Sequence, residues 1–134
     1  MKYYLDTNII IYALKGQYPS IKEHFMRVPP YAVVIPTIVM AEIEFGARKS
    51  FNYEKTISLY RKFTDAFDKE PFSEQAEAEY GRIRYELEAA GTPIGANDLI
   101  IAAIVLSSGG ILVTNNTKEF SRIPSLMLEN WTLN

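Results

Sequence analysis

Residues 1–14 read MKYYLDTNIIIYAL. An apolar run, Tyr3-Tyr4-Leu5, stops at a carboxylate, Asp6; Thr7 and Asn8 follow, then a second apolar run from Ile9 to Leu14. The pattern predicts a short buried strand, a polar turn and a buried helix. A strand with no polar alternation belongs inside a parallel sheet covered on both faces. The polar turn then falls at the strand's carboxyl end, where open α/β sheets place their sites. Asp6 is therefore a candidate for chemistry, and the remaining acids can be searched for partners.

Working outward, Gly16 and Pro19 break the chain before a second helix over 19–28, with Ile21, Phe25 and Val28 on its apolar face. Pro29-Pro30 stops it. The β-branched run Tyr31 to Ile35 predicts a second buried strand, ended by Pro36, with Thr37 capping a helix to Lys49. Asn52 caps the next helix, 53–68, whose stripe is Ile57, Tyr60, Phe63, Thr64 and Phe67. Glu70-Pro71-Phe72 reads as an extended link or edge strand, and Ser73 opens a charged helix to Ala90, closed by Gly91. Pro93 and Gly95 precede a helix, Leu99 to Leu106, that is apolar all round and so buried on most sides. After Gly109-Gly110 come a strand at Ile111–Val113, a polar turn with one helical turn at 115–120, a last strand at Leu126–Leu128 and a closing Trp131. Strands alternating with helices predict an α/β fold, with a mainly parallel sheet of four or five strands flanked by helices, in a single domain over residues 1–134.

Composition narrows the function. The chain has 134 residues, 48% hydrophobic and 22% charged, which is globular. With no cysteine, disulfides and thiolate metal sites are excluded, and a reducing cytoplasm is the expected compartment. No apolar run approaches the ~20 residues that span a bilayer, so no membrane association is expected. The net charge of −2 provides no global basic field, so a nucleic-acid partner must be held by local patches. His24, the only histidine, falls on a polar helix face and reads as a surface residue, which leaves His-based triads and zinc sites without support. No GxGxxG or Walker A pattern indicates a nucleotide cofactor.

Four acids stand out. Asp6 has a competing reading as a helix cap, but Thr7 and Asn8 lie nearer the helix and can cap equally well. Glu42 has Ile38, Val39, Phe45 and Gly46 as its three- and four-residue neighbours, which puts a carboxylate in the apolar stripe, where a charge is costly without a partner or cation. Glu44, four residues from Arg48, reads as a solvated face residue. Asp98 opens the buried helix; acids favour that position through the dipole, yet the helix start is expected at the same sheet edge as Asp6. Asn116 with Glu119 three residues on resembles a capping box, again just after a strand. The other acids, Glu70 and Glu129 among them, read as solvated charges. Oxygen ligands without His or Cys select hard cations, Mg²⁺ or Mn²⁺. Such cations activate water and neutralise charge on phosphoryl oxygens. With no nucleotide motif, a nucleic-acid phosphodiester is the natural substrate.

At this point the chain resembles the PIN-domain ribonucleases, and closely the VapC toxins of bacterial type II toxin–antitoxin pairs. The resemblance runs over nearly the whole length. It rests on Leu5-Asp6-Thr7-Asn8, on Ala41-Glu42 followed by Phe45-Gly46, on Pro93-Ile94-Gly95 leading to Asp98 and Ile101-Ala102, and on Thr114-Asn115-Asn116 with Glu119-Phe120. It implies a PIN-like three-layer fold and a Mg²⁺-dependent (or Mn²⁺-dependent) endoribonuclease toxin that cuts structured RNA, often tRNA, leaving a 3′-hydroxyl. Asp6, Glu42 and Asp98 match the family's core metal-binding acids. Asn116 stands where many relatives carry a fourth acid, and Glu119 matches the acid before the phenylalanine. Thr7 and Thr114 match supporting polar positions. The implied partners are a second copy of the chain, in a homodimer, and a cognate VapB-type antitoxin whose C-terminal segment lies beside the acids and whose dimer binds operator DNA.

Among the basic residues, Lys15, Arg48, Lys49 and Lys118 follow elements that end near the acids and are the first choices for holding RNA. Tyr12 and Phe45 could line a groove for a partner helix. Two other classes stay open. One is a PIN-like module that binds RNA or protein without cutting, suggested by Asn116. The other is a phospho-acceptor receiver domain, disfavoured because Asp6 is followed by Thr-Asn and Thr114 by Asn-Asn.

Overall fold

The Tyr3–Leu5 run is strand β1, and it lies in the middle of a five-stranded sheet. The structure, a computed structural model, describes residues 1–133. In chain order the elements are β1 (Tyr3–Leu5), α1 (Thr7–Lys15), α2 (Pro19–Arg27), β2 (Val33–Pro36), α3 (Thr37–Lys49), α4 (Tyr53–Thr64), β3 (Asp68–Glu70), α5 (Glu74–Ala89), α6 (Ala96–Ser108), β4 (Ile111–Val113), α7 (Thr117–Phe120) and β5 (Met127–Glu129). The strand order is β3-β2-β1-β4-β5 and every pairing is parallel. The expected sheet is thus present, with five strands and, among the described residues, no antiparallel member.

Register is what builds the site. Leu5 pairs with Val113, and Val113 with Glu129, so β1, β4 and β5 end level with one another. Asp6 and Thr114, each one residue past its strand, therefore sit side by side, and the Asp6 amide donates to the Val113 carbonyl at 3.0 Å. Tyr4, Leu5, Val33, Val34, Ile35, Leu112 and Val113 are all buried, as a doubly covered sheet demands. Helix α6 buries Leu99 and the unbroken run Ile101 to Val105, and packs chiefly on α5. Gly110 is required here, because a Cβ on it would collide with the Tyr4 ring.

Several boundaries differ from the sequence reading, each for a local reason. Tyr31 is outside β2 and exposed, because Pro30 opens a 3₁₀ turn over Pro30–Ala32 and the strand starts only at Val33. Pro36 takes the N-cap position of α3, so Thr37 is its first helical residue rather than its cap. Helix α4 ends at Thr64, and Asp68–Glu70 pairs with β2 as the edge strand expected two residues later. The last strand is shifted by one residue, to Met127–Glu129. His24 is not a free surface residue: its ring stacks on buried Trp131, with centroids 5.3 Å apart. Glu70 is not simply solvated either, since it accepts hydrogen bonds from the Tyr4 hydroxyl (2.9 Å) and from Ser108. Glu129 accepts from the Trp131 indole at 2.9 Å. Among the described residues, no helix is long and apolar enough to cross a membrane.

Candidate active site

The site starts at the carboxyl end of β1. Asp6 is 6% exposed, and both its oxygens are engaged. Its Oδ1 accepts from the Thr7 amide at 2.8 Å, which makes Asp6 itself the N-cap of α1. The expectation that Thr7 or Asn8 would cap and leave Asp6 without a structural task is therefore corrected. Its Oδ2 accepts from Thr114 Oγ1 at 2.7 Å. An ionised carboxylate has about four acceptor positions, so two such bonds orient it without exhausting it. Burial raises the Asp6 pKa above the ordinary carboxylate value, against the opposing pull of the Thr114 and Thr7 hydrogen bonds.

Thr7 joins two elements. Its amide holds Asp6 while its hydroxyl donates to Glu42 Oε1 on α3 at 2.6 Å. The other Glu42 oxygen accepts from Asn97 Nδ2 at 3.4 Å. The buried stripe of α3 is Val39, Ile43 and Ala47, and Glu42 lies beside it, half-buried. Its placement in the middle of the apolar stripe is thus corrected: Phe45 and Gly46, counted as apolar neighbours, are exposed. Glu44 does not pair with Arg48. It accepts from the Tyr53 hydroxyl (2.8 Å) and Arg61 (2.7 Å), tying α3 to α4.

Asp98 lies half-buried in the first turn of α6. Its pKa is pushed up to about 7, first by burial and then by the charges of Asp6, Glu119 and Glu42 and a hydrogen bond shared with Glu119. The other three acids named from the sequence therefore act electrostatically on Asp98. Glu119 is positioned by α7 and accepts from Asn116 Nδ2 at 3.3 Å, while the Asn116 amide donates to Thr114 Oγ1 at 3.0 Å. Asn116 stands at the N-cap of α7 but its side chain makes no capping bond, so the expected capping box is replaced by a link to Glu119. Thr114 is fully buried and serves both sides, donating to Asp6 and accepting from Asn116.

Among the described residues, none of these four acids has a Lys or Arg partner, and no three acids already stand at metal-ligand spacing. What exists is a cluster of like charges in which hydroxyl and amide donors hold Asp6, Glu42 and Glu119. Its donor set is oxygen only, and its crowding is of the kind a divalent cation relieves. The residues fit a hard cation by their chemistry.

Of the basic residues, Lys15 and Lys49 line a cleft that also includes Thr7 and Glu42. Arg48 is turned elsewhere, its guanidinium 3.8 Å over the Tyr53 ring. Lys118 is exposed on α7 beside Glu119. Phe45 is exposed, with the Lys49 ammonium 4.5 Å from its ring centroid. Tyr12 packs edge-on against Tyr18 and accepts from Asn115 Nδ2 at 3.2 Å. Sequence reasoning gives no role to Asn97, although its place beside Asp98 on the first turn of α6 is the available signal. Nor does it connect Asn115 with Tyr12, which lie 103 residues apart.

The PIN domain family matches residues 3–126. Ribonuclease VapC2 of Rickettsia felis is 40% identical over 132 residues, covering 98% of both chains. The tRNA(fMet)-specific endonuclease VapC of Salmonella typhimurium is 35% identical over 131 residues, again covering 98% of each. Among solved structures, VapBC2 from R. felis bound to a promoter DNA fragment superposes with a TM-score of 0.91 at 39% identity, covering 98% of this chain and 99% of that one. VapBC-1 from nontypeable Haemophilus influenzae superposes with a TM-score of 0.90 at 40% identity and the same coverage. With identities of this size over nearly the whole of each chain, and the same fold beneath them, the chain belongs to the PIN-domain family and, within it, to the VapC ribonucleases.

Proposed function

We propose that this protein is the toxin of a VapBC-type toxin–antitoxin pair, a metal-dependent endoribonuclease that cuts structured RNA, with tRNA the first candidate. The observation that carries the reading is the hydrogen-bonded chain that joins Glu42, Asp6 and Glu119 through Thr7, Thr114 and Asn116 beside Asp98, without a basic partner for any of the four acids among the described residues. In this reading those four acids hold Mg²⁺, with Mn²⁺ an acceptable substitute. Such a cation, when bound, supplies the Lewis acidity that makes water nucleophilic at neutral pH and offsets charge on the phosphoryl oxygens. The chain's own contribution is positioning. Thr7 fixes Asp6 and Glu42 relative to each other, Thr114 fixes Asp6 relative to Asn116, and Asn116 orients Glu119. Water adds to phosphorus, the bond to the ribose 3′ oxygen breaks, and the products are a 3′-hydroxyl and a 5′-phosphate.

The partners in this reading are a cognate VapB-type antitoxin, through which operator DNA is reached, and a second copy of the chain. The R. felis and H. influenzae relatives named above were solved as VapBC assemblies, the former with DNA bound. An exposed apolar groove of about 500 Å³, lined by Ile38, Ala41, Phe72 and Tyr80 among others, supports a protein partner on the α3–α5–α6 face.

The test is cleavage of total tRNA by the purified, antitoxin-free chain with Mg²⁺, with EDTA and with Asp6→Ala. A discrete product that needs both the metal and Asp6 is the expected result. RNA binding without any product, for tRNA and then for ribosomal RNA, overturns the nuclease reading in favour of a binding module, the alternative that Asn116 suggests.

A further inference from the structure

Beside Glu42 a cleft of about 350 Å³ runs between α1, α3 and α4. Thr7 and Glu42 line it, with buried Ile43 and Ala47, half-buried Ile11 and exposed Lys15 and Lys49. Ser50, Thr56 and Tyr60 complete the wall. The Lys15 ammonium and the hydroxyls of Thr56 and Tyr60 have no hydrogen-bond or salt-bridge partner among the described residues, and the Lys49 ammonium meets only the face of exposed Phe45, 4.5 Å from its ring centroid. The cleft thus combines an apolar floor, unused donors and two positive charges, and its volume is in the range that takes a small ligand or one nucleotide.

Gly46 is the second observation. It sits in the middle of α3 on the cleft wall, where glycine is a poor helix former. Its φ is not positive, so no left-handed turn requires it. A Cβ there would meet nothing within 4 Å, so no internal packing requires it either. A side chain there would project into open space at the cleft wall. Gly81 in α5 has equally open surroundings and lies outside this cleft, which makes it a natural control.

Resting on the ribonuclease reading, we infer that this cleft is the subsite for the nucleotide next to the cleaved phosphodiester. The base and ribose lie over Ile11, Ile43 and Gly46, the hydroxyls of Thr56 and Tyr60 contact the sugar and base edges, and Lys15 and Lys49 hold the neighbouring phosphate. The acids at Glu42 face the reacting phosphate, and the lysines face the next one along. This arrangement gives a net-acidic protein a local grip on a polyanion without a basic surface.

The experiment is binding of a fluorescein-labelled, mixed-sequence single-stranded RNA of about twelve nucleotides, a length suited to such a groove. It is read by anisotropy in EDTA, so it does not depend on turnover. Three variants are compared with wild type: Lys15→Ala/Lys49→Ala, Gly46→Leu and Gly81→Leu, each checked for an unchanged melting temperature. The lysine pair is expected to weaken binding about 10-fold and to flatten the salt dependence by roughly 1.4 in log–log slope, about 0.7 for each lost phosphate contact. Gly46→Leu is expected to weaken binding comparably by filling the cleft, with the salt slope unchanged, and Gly81→Leu to bind as wild type. Unchanged affinity in both cleft variants overturns the inference and leaves the cleft to a protein segment. If wild type cleaves RNA in Mg²⁺ while both cleft variants bind normally, only this inference fails. If wild type binds, does not cleave, and the variants bind poorly, the cleft stands and the nuclease reading fails. A wild type that binds no RNA overturns both.

Discussion

Replacing Asp98 by asparagine is expected to stabilise the metal-free protein. The Asp98 pKa is raised from 3.8 to about 7 by burial and by its acidic neighbours. A carboxyl that ionises late in the folded state costs nothing below its unfolded pKa, where both states are protonated. As pH rises from about 4 to 7 the unfolded chain releases its proton first, so folding stability falls through that window and levels off above it. The shift of ~3 pK units corresponds to an upper limit of ~4 kcal/mol, and partial exposure of the side chain reduces this to about 2 kcal/mol. Asparagine has the shape of the protonated acid and never ionises. In EDTA, urea unfolding should therefore show the Asp98→Asn variant more stable than wild type by ~1 kcal/mol at pH 5 and ~2 kcal/mol at pH 8. In excess Mg²⁺ the difference should shrink, because a ligand that binds only the folded state stabilises the wild type by mass action. A difference independent of pH, or an Asp98→Asn protein less stable than wild type at pH 8 in EDTA, would refute the reasoning. The acids would then not be crowded in the way the geometry requires.

Thr114→Val should cost ~2–3 kcal/mol, since it strips a buried donor from Asp6 and a buried acceptor from the Asn116 amide, and Thr114→Ser should recover most of it in thermal unfolding. In RNA cleavage the same Val variant should lose at least ~10-fold in kcat with little change in KM, because Asp6 and Asn116 lose their common anchor. Tyr4 has its pKa raised from 10.0 to about 12, mainly by burial, so its contribution to stability is complete below pH 10 and disappears as pH rises to 12. Wild type should lose up to ~2–3 kcal/mol more than Tyr4→Phe across that interval, measured by chemical denaturation at fixed pH. Gly110→Ala forces a methyl into the Tyr4 ring and should destabilise by ~1–3 kcal/mol, whereas alanine at exposed Gly81 should be neutral or stabilising.

The parts of the fold legible in the sequence are those with a strong local signature. The unbroken apolar runs at Tyr3–Leu5 and Ile111–Val113, and the helix apolar all round at Leu99–Leu106, can only be buried. Once the strands are parallel, Asp6 and Thr114 must fall at one edge. Boundaries set by backbone chemistry are less legible: Pro30 begins a 3₁₀ turn where β-branched residues suggest strand, and the Asp68–Glu70 edge strand is charged rather than apolar. Edge strands need no apolar signature, and charge there blunts unwanted pairing. Glu42 stands out in the sequence for a reason the structure does not share, since it lies beside the buried stripe of α3 and not within it. The cleft residues Lys15, Ser50, Thr56 and Tyr60 come from two helices and the α3–α4 connection, and no spacing rule links them. Likewise, the structural work of Asp6 is hidden because a one-residue shift in the start of α1 cannot be seen in a pattern that allows three caps in a row.

The strand order has a consequence for the timing of synthesis. The hydrogen bond from Thr114 to Asp6 spans 108 residues, and β1 finds one of its two sheet neighbours only when β4 exists. Pairing over such a separation is slow relative to local helix formation. A nascent chain that has not yet emitted Val113 can form α1 to α6 but has neither the strand that seats Asp6 nor the threonine that orients it. Degradation products or prematurely terminated chains that end before this point are thus expected to lack nuclease activity, and an assembled site exists only when translation of the β4 segment is over. If the chain is the toxin of a VapBC-type pair, as proposed above, an antitoxin made alongside it has the whole interval of elongation in which to be waiting.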